Sequence, residues 1–151
     1  MIIKNTDLNF SSKDYLEFID LTEEVEDFCK KSKIKNGSVL IYSTHTTLAI
    51  CVNEKEKGIC ADFKELMEKL IPKDKYYRHN DLTIRTENLV CQSAASDCLN
   101  GHSHCTHLLM RNSETIPIID GKLALGVWQR IFAIEVDCGR KRKVIVQVTG
   151  I

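Results

Sequence analysis

A chain of 151 residues is long enough to bury one substantial core and short for two domains, so residues 1–151 are read as a single domain. The composition, 43% hydrophobic and 28% charged, suits a folded globular chain and argues against disorder. With 21 basic and 21 acidic residues the formal net charge is +0, so no global field draws in nucleic acid or an anionic membrane.

No apolar run approaches the ~20 residues needed to span a bilayer. Met1-Ile2-Ile3-Lys4-Asn5 lacks the basic and apolar blocks of a secretory leader. The 7 cysteines include no C-x-x-C pair, which points to reduced thiols and a cytoplasmic location. The even spacing of Cys91, Cys98 and Cys105 matches no ligand motif. The basic run Arg140-Lys141-Arg142-Lys143 reads as a solvated turn.

In chain order, Ile2 to Phe10 alternates as a first strand. Asp20-Leu21-Thr22-Glu23 reads as a helix start with Asp20 as cap and Glu23 reaching back, and Leu21, Val25, Phe28 and Cys29 recur at helical spacing. Asn36-Gly37 ends that helix. Ser38 to Ser43 and Leu48 to Val52 are apolar strands, and the Thr44-His45-Thr46-Thr47 insert leaves His45 at a strand end. Glu56 to Ile71 is an amphipathic helix whose stripe, Ile59, Cys60, Phe63, Leu66, Met67 and Leu70, is expected to be core. Tyr76 to Asp81 is a polar, aromatic loop. The stretch 88–99 opens with a helical turn. Thr115 to Ile119 is a strand, Asp120-Gly121 a hairpin turn, and Val127 to Asp137 a second alternating strand. On it Trp128, Arg130, Phe132, Ile134 and Val136 share one face, with Gln129, Ile131, Ala133, Glu135 and Asp137 on the other. A turn at Cys138-Gly139 leads to the last strand, 143–149. The pattern predicts an α+β fold rich in antiparallel strands, with two main amphipathic helices outside a sheet or sandwich.

Chemistry concentrates in Asn100-Gly101-His102-Ser103-His104-Cys105-Thr106-His107, which holds three of the 5 histidines. Imidazole and thiolate are the ligands of zinc and similar metals, but no second Cys/His pair is present to complete a zinc finger. On a helix His104 shares a face with His107; on a strand it shares one with His102. Periodicity leaves both open. Glu135 lies inside an apolar strand, where a carboxylate is either paired, exposed at an edge or functional. Gly-rich nucleotide loops and the G-x-S-x-G elbow are missing.

The motifs His45-Thr46-Thr47, Asn53-Glu54, Tyr77-Arg78-His79, Gly101-His102-Ser103-His104 and, above all, Leu123-Ala124-Leu125-Gly126-Val127-Trp128-Gln129 resemble those of the YjbQ family over nearly the whole chain. The resemblance implies a β-sandwich of jelly-roll character and a homotrimer. It also implies a thiamine-phosphate synthase-like transferase that joins hydroxymethylpyrimidine diphosphate to thiazole phosphate. The same residues leave two alternatives: a metal-dependent hydrolase of a small phosphorylated metabolite, or a non-enzymatic trimer binding metal or small ligands. Carried onto this chain, His45 and His104, with His102, are expected to hold a divalent metal (zinc or magnesium) or a phosphate. Glu135 is expected as general base or as an additional ligand, with Gln129 and His79 beside it in catalysis. Asn53, Glu54 and Arg140 are expected on the substrate. Thr106 stands where the family usually has lysine, and Arg130 where it has glycine. Arg130 is a candidate to replace the missing cation, although its strand face opposes Gln129.

Overall fold

The computed structural model describes residues 1–89 and 99–151. The elements run β1 (Ile2–Ser11), β2 (Glu17–Asp20), α1 (Thr22–Ser32), β3 (Gly37–Ser43), β4 (Leu48–Glu54) and α2 (Lys57–Leu70). After a 3-10 turn at Arg78–Asn80 come α3 (Gly101–Leu109), β5 (Ser113–Ile119), β6 (Lys122–Leu123), β7 (Gln129–Glu135) and β8 (Lys141–Gly150). The expectation for 88–99 and the spacing of Cys91 and Cys98 fall largely outside the described residues.

The strands form two antiparallel sheets, one ordered β1-β8-β3-β5-β6 and the other β2-β7-β4. This is the α+β architecture that the alternation predicts. Between the sheets lies the main core, where Val39, Ile41, Val144 and Val146 of the larger sheet meet Leu48, Ile50, Ile131 and Ala133 of the smaller, closed by Leu21, Val25 and Cys29 around α1. Phe132, Ile134 and Val136 point the other way, into a second cluster with Leu16, Ala49 and Met67. The two faces of β7 are therefore those the alternation assigns, but both are covered, and residues 131–137 are all buried. Each fully buried Ile, Val or Phe side chain among them contributes roughly 1.5–3 kcal/mol.

Local chemistry explains several boundaries. Asp120 (φ 49) and Gly121 (φ 77) both adopt positive φ, the mirror-image turn that Asp-Gly favours, and they join β5 to β6. Asp20 accepts from the Thr22 amide and hydroxyl at 3.0 and 2.6 Å, but it stands one residue ahead of the N-cap, Leu21, so the expected Asp20 cap is replaced by a turn contact that leads into α1. Glu23 does not reach back; its carboxylate takes Arg130 instead. Burial opposes ionisation of Asp20, but hydrogen bonds from Thr22, Arg130 and Lys55 outweigh it and hold the carboxyl below the usual carboxylate range.

Two expectations are corrected. On α2 only Met67 is buried, with Phe63 packed beside it, whereas Ile59, Leu66 and Leu70 face outward at 40%, 57% and 59% exposure. The small sheet is three strands wide, so α2 covers it with half of its apolar stripe. The run 140–143 is not a solvated turn: β8 begins at Lys141, and its alternation turns Arg142 inward to 4% exposure.

Candidate functional site

One end of the sandwich gathers the polar groups. There β1 ends at Ser11, β3 at Ser43 and β7 at Glu135, and β4 and β8 begin at Leu48 and Lys141. Glu135, fully buried, points between the sheets and meets Arg142 from the opposing sheet. Arg142 Nε donates to Oε2 at 2.7 Å, and Nη2 donates to Oε1 and to Thr47 Oγ1. Ser12 Oγ donates to Oε2 at 2.5 Å and the Asp137 amide to Oε1 at 2.9 Å. Both oxygens are saturated by fixed donors, so Glu135 is corrected from general base to a buried ion-pair partner. It ties the two sheets together and fixes the backbone of Asp137.

Asp137 is the hub of the site. Its Oδ2 accepts from Asn100 Nδ2 at 2.9 Å and from Arg140 Nη2 at 2.7 Å, and its Oδ1 lies 3.3 Å from Ser103 Oγ. Arg140 thus belongs here by neutralising Asp137. Gly139 lets the β7–β8 turn press against the chain at Lys13, because a Cβ there would sit 2.4 Å from the Lys13 carbonyl oxygen. Asn100, Ser103 and Asp137 were not among the expected site residues. A short polar cluster before the histidines and a carboxylate closing a buried strand were the signals that could have found them.

The histidine segment is helical, which settles the open periodicity. The Gly101 amide donates to Asn80 Oδ1 at 2.8 Å, and a Cβ on Gly101 would lie 2.7 Å from Tyr77 Cβ, so glycine allows α3 to start against the 77–80 turn. His102, Ser103 and Thr106 are buried, while His104 and His107 are half-buried. His104 packs on His79 with ring centroids 4.6 Å apart. Burial, reinforced by His79, pushes the His104 pKa down, so near neutral pH its imidazole is uncharged. Thr106 donates to the His102 carbonyl, so it closes a helical turn instead of offering the site a cation.

His79 completes a relay. Asn100 gives its Nδ2 to Asp137, which aims Oδ1 at His79 Nε2 at 3.2 Å. Donation to Asn100 puts the proton on Nε2 and the lone pair on Nδ1, in competition with the Arg85 guanidinium, a pure donor that would need Nε2 as its acceptor. Arg85 Nη1 lies 3.1 Å from Nε2 and donates to the His79 carbonyl at 3.0 Å. His79, Arg78, Arg85, Thr86 and Asn88 wall a cleft of about 470 Å³.

The other expected residues lie elsewhere or are already engaged. Asn53 and Glu54 pair with Arg130 and Gln129 at the opposite end of the small sheet, six residues of strand from Glu135. At ~3.4 Å per residue that is roughly 20 Å. Gln129 Oε1 accepts from the Gly126 amide, closing the loop before β7. Arg130 binds Asp20 and Glu23 at that same remote end, which removes it as a replacement cation. His45 Nε2 accepts the Lys143 amide at 3.1 Å, and burial, then Arg142, lowers its pKa. The charges acting on His45 (Arg142, Glu135, Arg140) share no member with those acting on His104 (His79, Asp137, Arg85, His107). Among the described residues no three His, Cys, Asp or Glu side chains converge as a ligand set. The described residues therefore do not fit a divalent ion held by His45, His102 and His104, and no step is routed through one.

An antiparallel α+β sandwich with a histidine- and carboxylate-lined end defines the class, and comparison gives the family. Residues 6–151 match the UPF0047 protein YjbQ-like family, to which the chain belongs. A UPF0047 protein of Archaeoglobus fulgidus is 39% identical over 141 residues, covering 93% of this chain and 98% of that one. The UPF0047 protein YugU of Bacillus subtilis is 27% identical over 150 residues, covering 99% and 100%. A hypothetical protein of Aeropyrum pernix superposes with TM-score 0.83 at 28% identity, covering 98% of this chain and 99% of that one. A YbjQ-like protein of unknown function from Sulfolobus solfataricus gives 0.80 at 29%, covering 99% and 100%. These relatives carry only the UPF0047 name, and these structures are described as hypothetical or of unknown function. The expectation of thiamine-phosphate synthase activity is accordingly corrected: family membership brings no such activity with it. Among the described residues no helix is long and apolar enough to cross a membrane.

Proposed function

We propose that the chain is a cytoplasmic enzyme that moves a proton on a small phosphorylated metabolite in the His79 cleft. The observation that carries this reading is the Asp137–Asn100–His79 chain of contacts: in the tautomer that donates Nε2–H to Asn100, the Nδ1 lone pair of a positioned imidazole is available as a base. Arg78 and Arg85 supply cationic walls for a phosphate, and the uncharged His104 ring keeps one side of His79 dry. The buried Glu135–Arg142 pair holds the Asp137 backbone and so sets the relay from behind. Calorimetric titration with inorganic phosphate, followed by a turnover screen of phosphorylated small molecules, tests it. His79→Gln and Asn100→Ala should each lower turnover by about 100-fold. Turnover within two-fold of wild type in both would refute the assignment.

Self-association into a homotrimer is part of the same proposal. What supports an assembly is the apolar surface left uncovered on the subunit: Val127 and Trp128 at 91% and 72% exposure, and the Leu66–Leu70 stripe of α2. Light scattering on the purified chain reads the stoichiometry directly.

A further inference from the structure

A second histidine is oriented by the same carboxylate, on the other side of Asp137. Ser103 Oγ has a single proton and lies 3.3 Å from both Asp137 Oδ1 and His102 Nε2. A carboxylate oxygen only accepts, so the hydroxyl proton goes to Asp137 and Nε2 of His102 must be the N–H that donates to Ser103. The lone pair of His102 is thereby placed on Nδ1. That atom is buried and has no hydrogen-bond partner, in a residue only 5% exposed. A buried acceptor left in this state costs about 1–3 kcal/mol, and folded proteins rarely keep one without a use.

Beside it lies a cleft of about 480 Å³ walled by Lys13, Tyr15, Lys73, His102, Asp137 and Gly139. This is within the usual range for small-ligand sites. Lys73 is close enough to contribute to lowering the His102 pKa, after burial itself. Lys13 and Lys73 have no carboxylate partner at ion-pair distance among the described residues. Asp14 also borders the cleft, but one of its oxygens is taken by the Tyr15 amide at 2.7 Å. Asp137 is held by Arg140, Asn100 and Ser103, so the cleft sets two lysine cations against one remaining Asp14 oxygen, with the unsatisfied His102 Nδ1 just beneath its wall.

We propose that this cleft is a second ligand site, for a small phosphorylated alcohol whose hydroxyl donates to His102 Nδ1 while Lys13 and Lys73 bind its phosphate. The His102 ring, held at Nε2 by Ser103, also makes an edge contact with Tyr15, another wall of the cleft (centroids 5.5 Å apart). The site shares no lining residue with the His79 cleft, to which it is joined only through Asp137 and Asn100, and it stands whether or not His79 is a base.

The test uses the full chain labelled with ¹⁵N and three probes: glycerol 3-phosphate, propyl phosphate, which lacks the hydroxyls, and inorganic phosphate. In the free protein the His102 imidazole should show the Nε2–H tautomer. Glycerol 3-phosphate should shift the Nδ1 resonance saturably and bind about ten-fold more tightly than propyl phosphate, the factor expected of one hydrogen bond to a buried acceptor. The Lys13→Ala/Lys73→Ala double variant should weaken the binding of all three probes as reported at the His102 resonances. His102→Phe, which keeps a ring of similar bulk, should erase the difference between the two esters. An Nδ1–H tautomer, equal affinity for the two esters, or no saturable shift would each overturn the proposal. Should His102→Phe fail to fold, the tautomer and the ester comparison on the wild-type chain decide.

Discussion

Arg142→Met is the sharpest perturbation of this end of the sandwich. Glu135 is 0% exposed and Arg142 4%, and the pair is joined by two hydrogen bonds, with Thr47, Ser12 and the Asp137 amide completing the shell. Removing the guanidinium leaves a buried carboxylate with only Ser12 and one amide as partners. Breaking one half of a buried ion pair costs about 3–5 kcal/mol. For a chain of this length that corresponds to a fall in Tm of about 10 °C. The double variant Glu135→Leu/Arg142→Met removes both charges, and should recover about 2 kcal/mol of that loss, offset by the orphaned Asp137 amide. Urea unfolding, with the m-value checked for constancy, measures both variants. A loss below about 1 kcal/mol in Arg142→Met, or a double variant no more stable than the single, would refute the picture of a desolvated, mutually dependent pair.

Other outcomes follow from the same geometry. His45, His102, His104 and His107 all have pKa values lowered by burial, so the unfolded chain binds more protons than the folded one just below the ordinary histidine value. Stability should be full above about pH 6.5 and fall as the pH drops through and below that value; a denaturation midpoint unchanged between pH 7 and 5 would contradict it. Gly139→Ala places a methyl 2.4 Å from the Lys13 carbonyl and should lower stability by about 1–3 kcal/mol, read from thermal melts. Trp128→Ser together with Leu66→Ser should shift light-scattering mass towards the monomer without changing the circular-dichroism spectrum. A retained assembly would free these residues from that role.

Much of the fold was legible because its signals are local. Asp120-Gly121 specifies a mirror-image turn whatever surrounds it, and the two faces of 127–137 follow from a period of two. The α2 stripe misled because periodicity reports which residues share a face, not how wide the partner surface is. Met67 found the small sheet, but Leu66 and Leu70 did not. The motif positions marked the family, yet they did not mark one site. Gln129, Asn53 and Glu54 close turns and edges at one end of the small sheet, while His45 and Glu135 brace the other.

What the sequence determined by itself was the α+β class, the strand faces and the main turn, all set by spacing along the chain, and the family, through the resemblance of its motifs. What only the tertiary structure decided was the meaning of the charged and histidine side chains. Whether Glu135 is a base or a brace depends on Arg142 facing it from the other sheet. Whether His79 and His102 are oriented depends on Asp137, 58 and 35 residues away along the chain. Burial and hydrogen-bond partnership are properties of converging strands and helices. No local pattern encodes them, because the partners meet only once the two sheets close on each other.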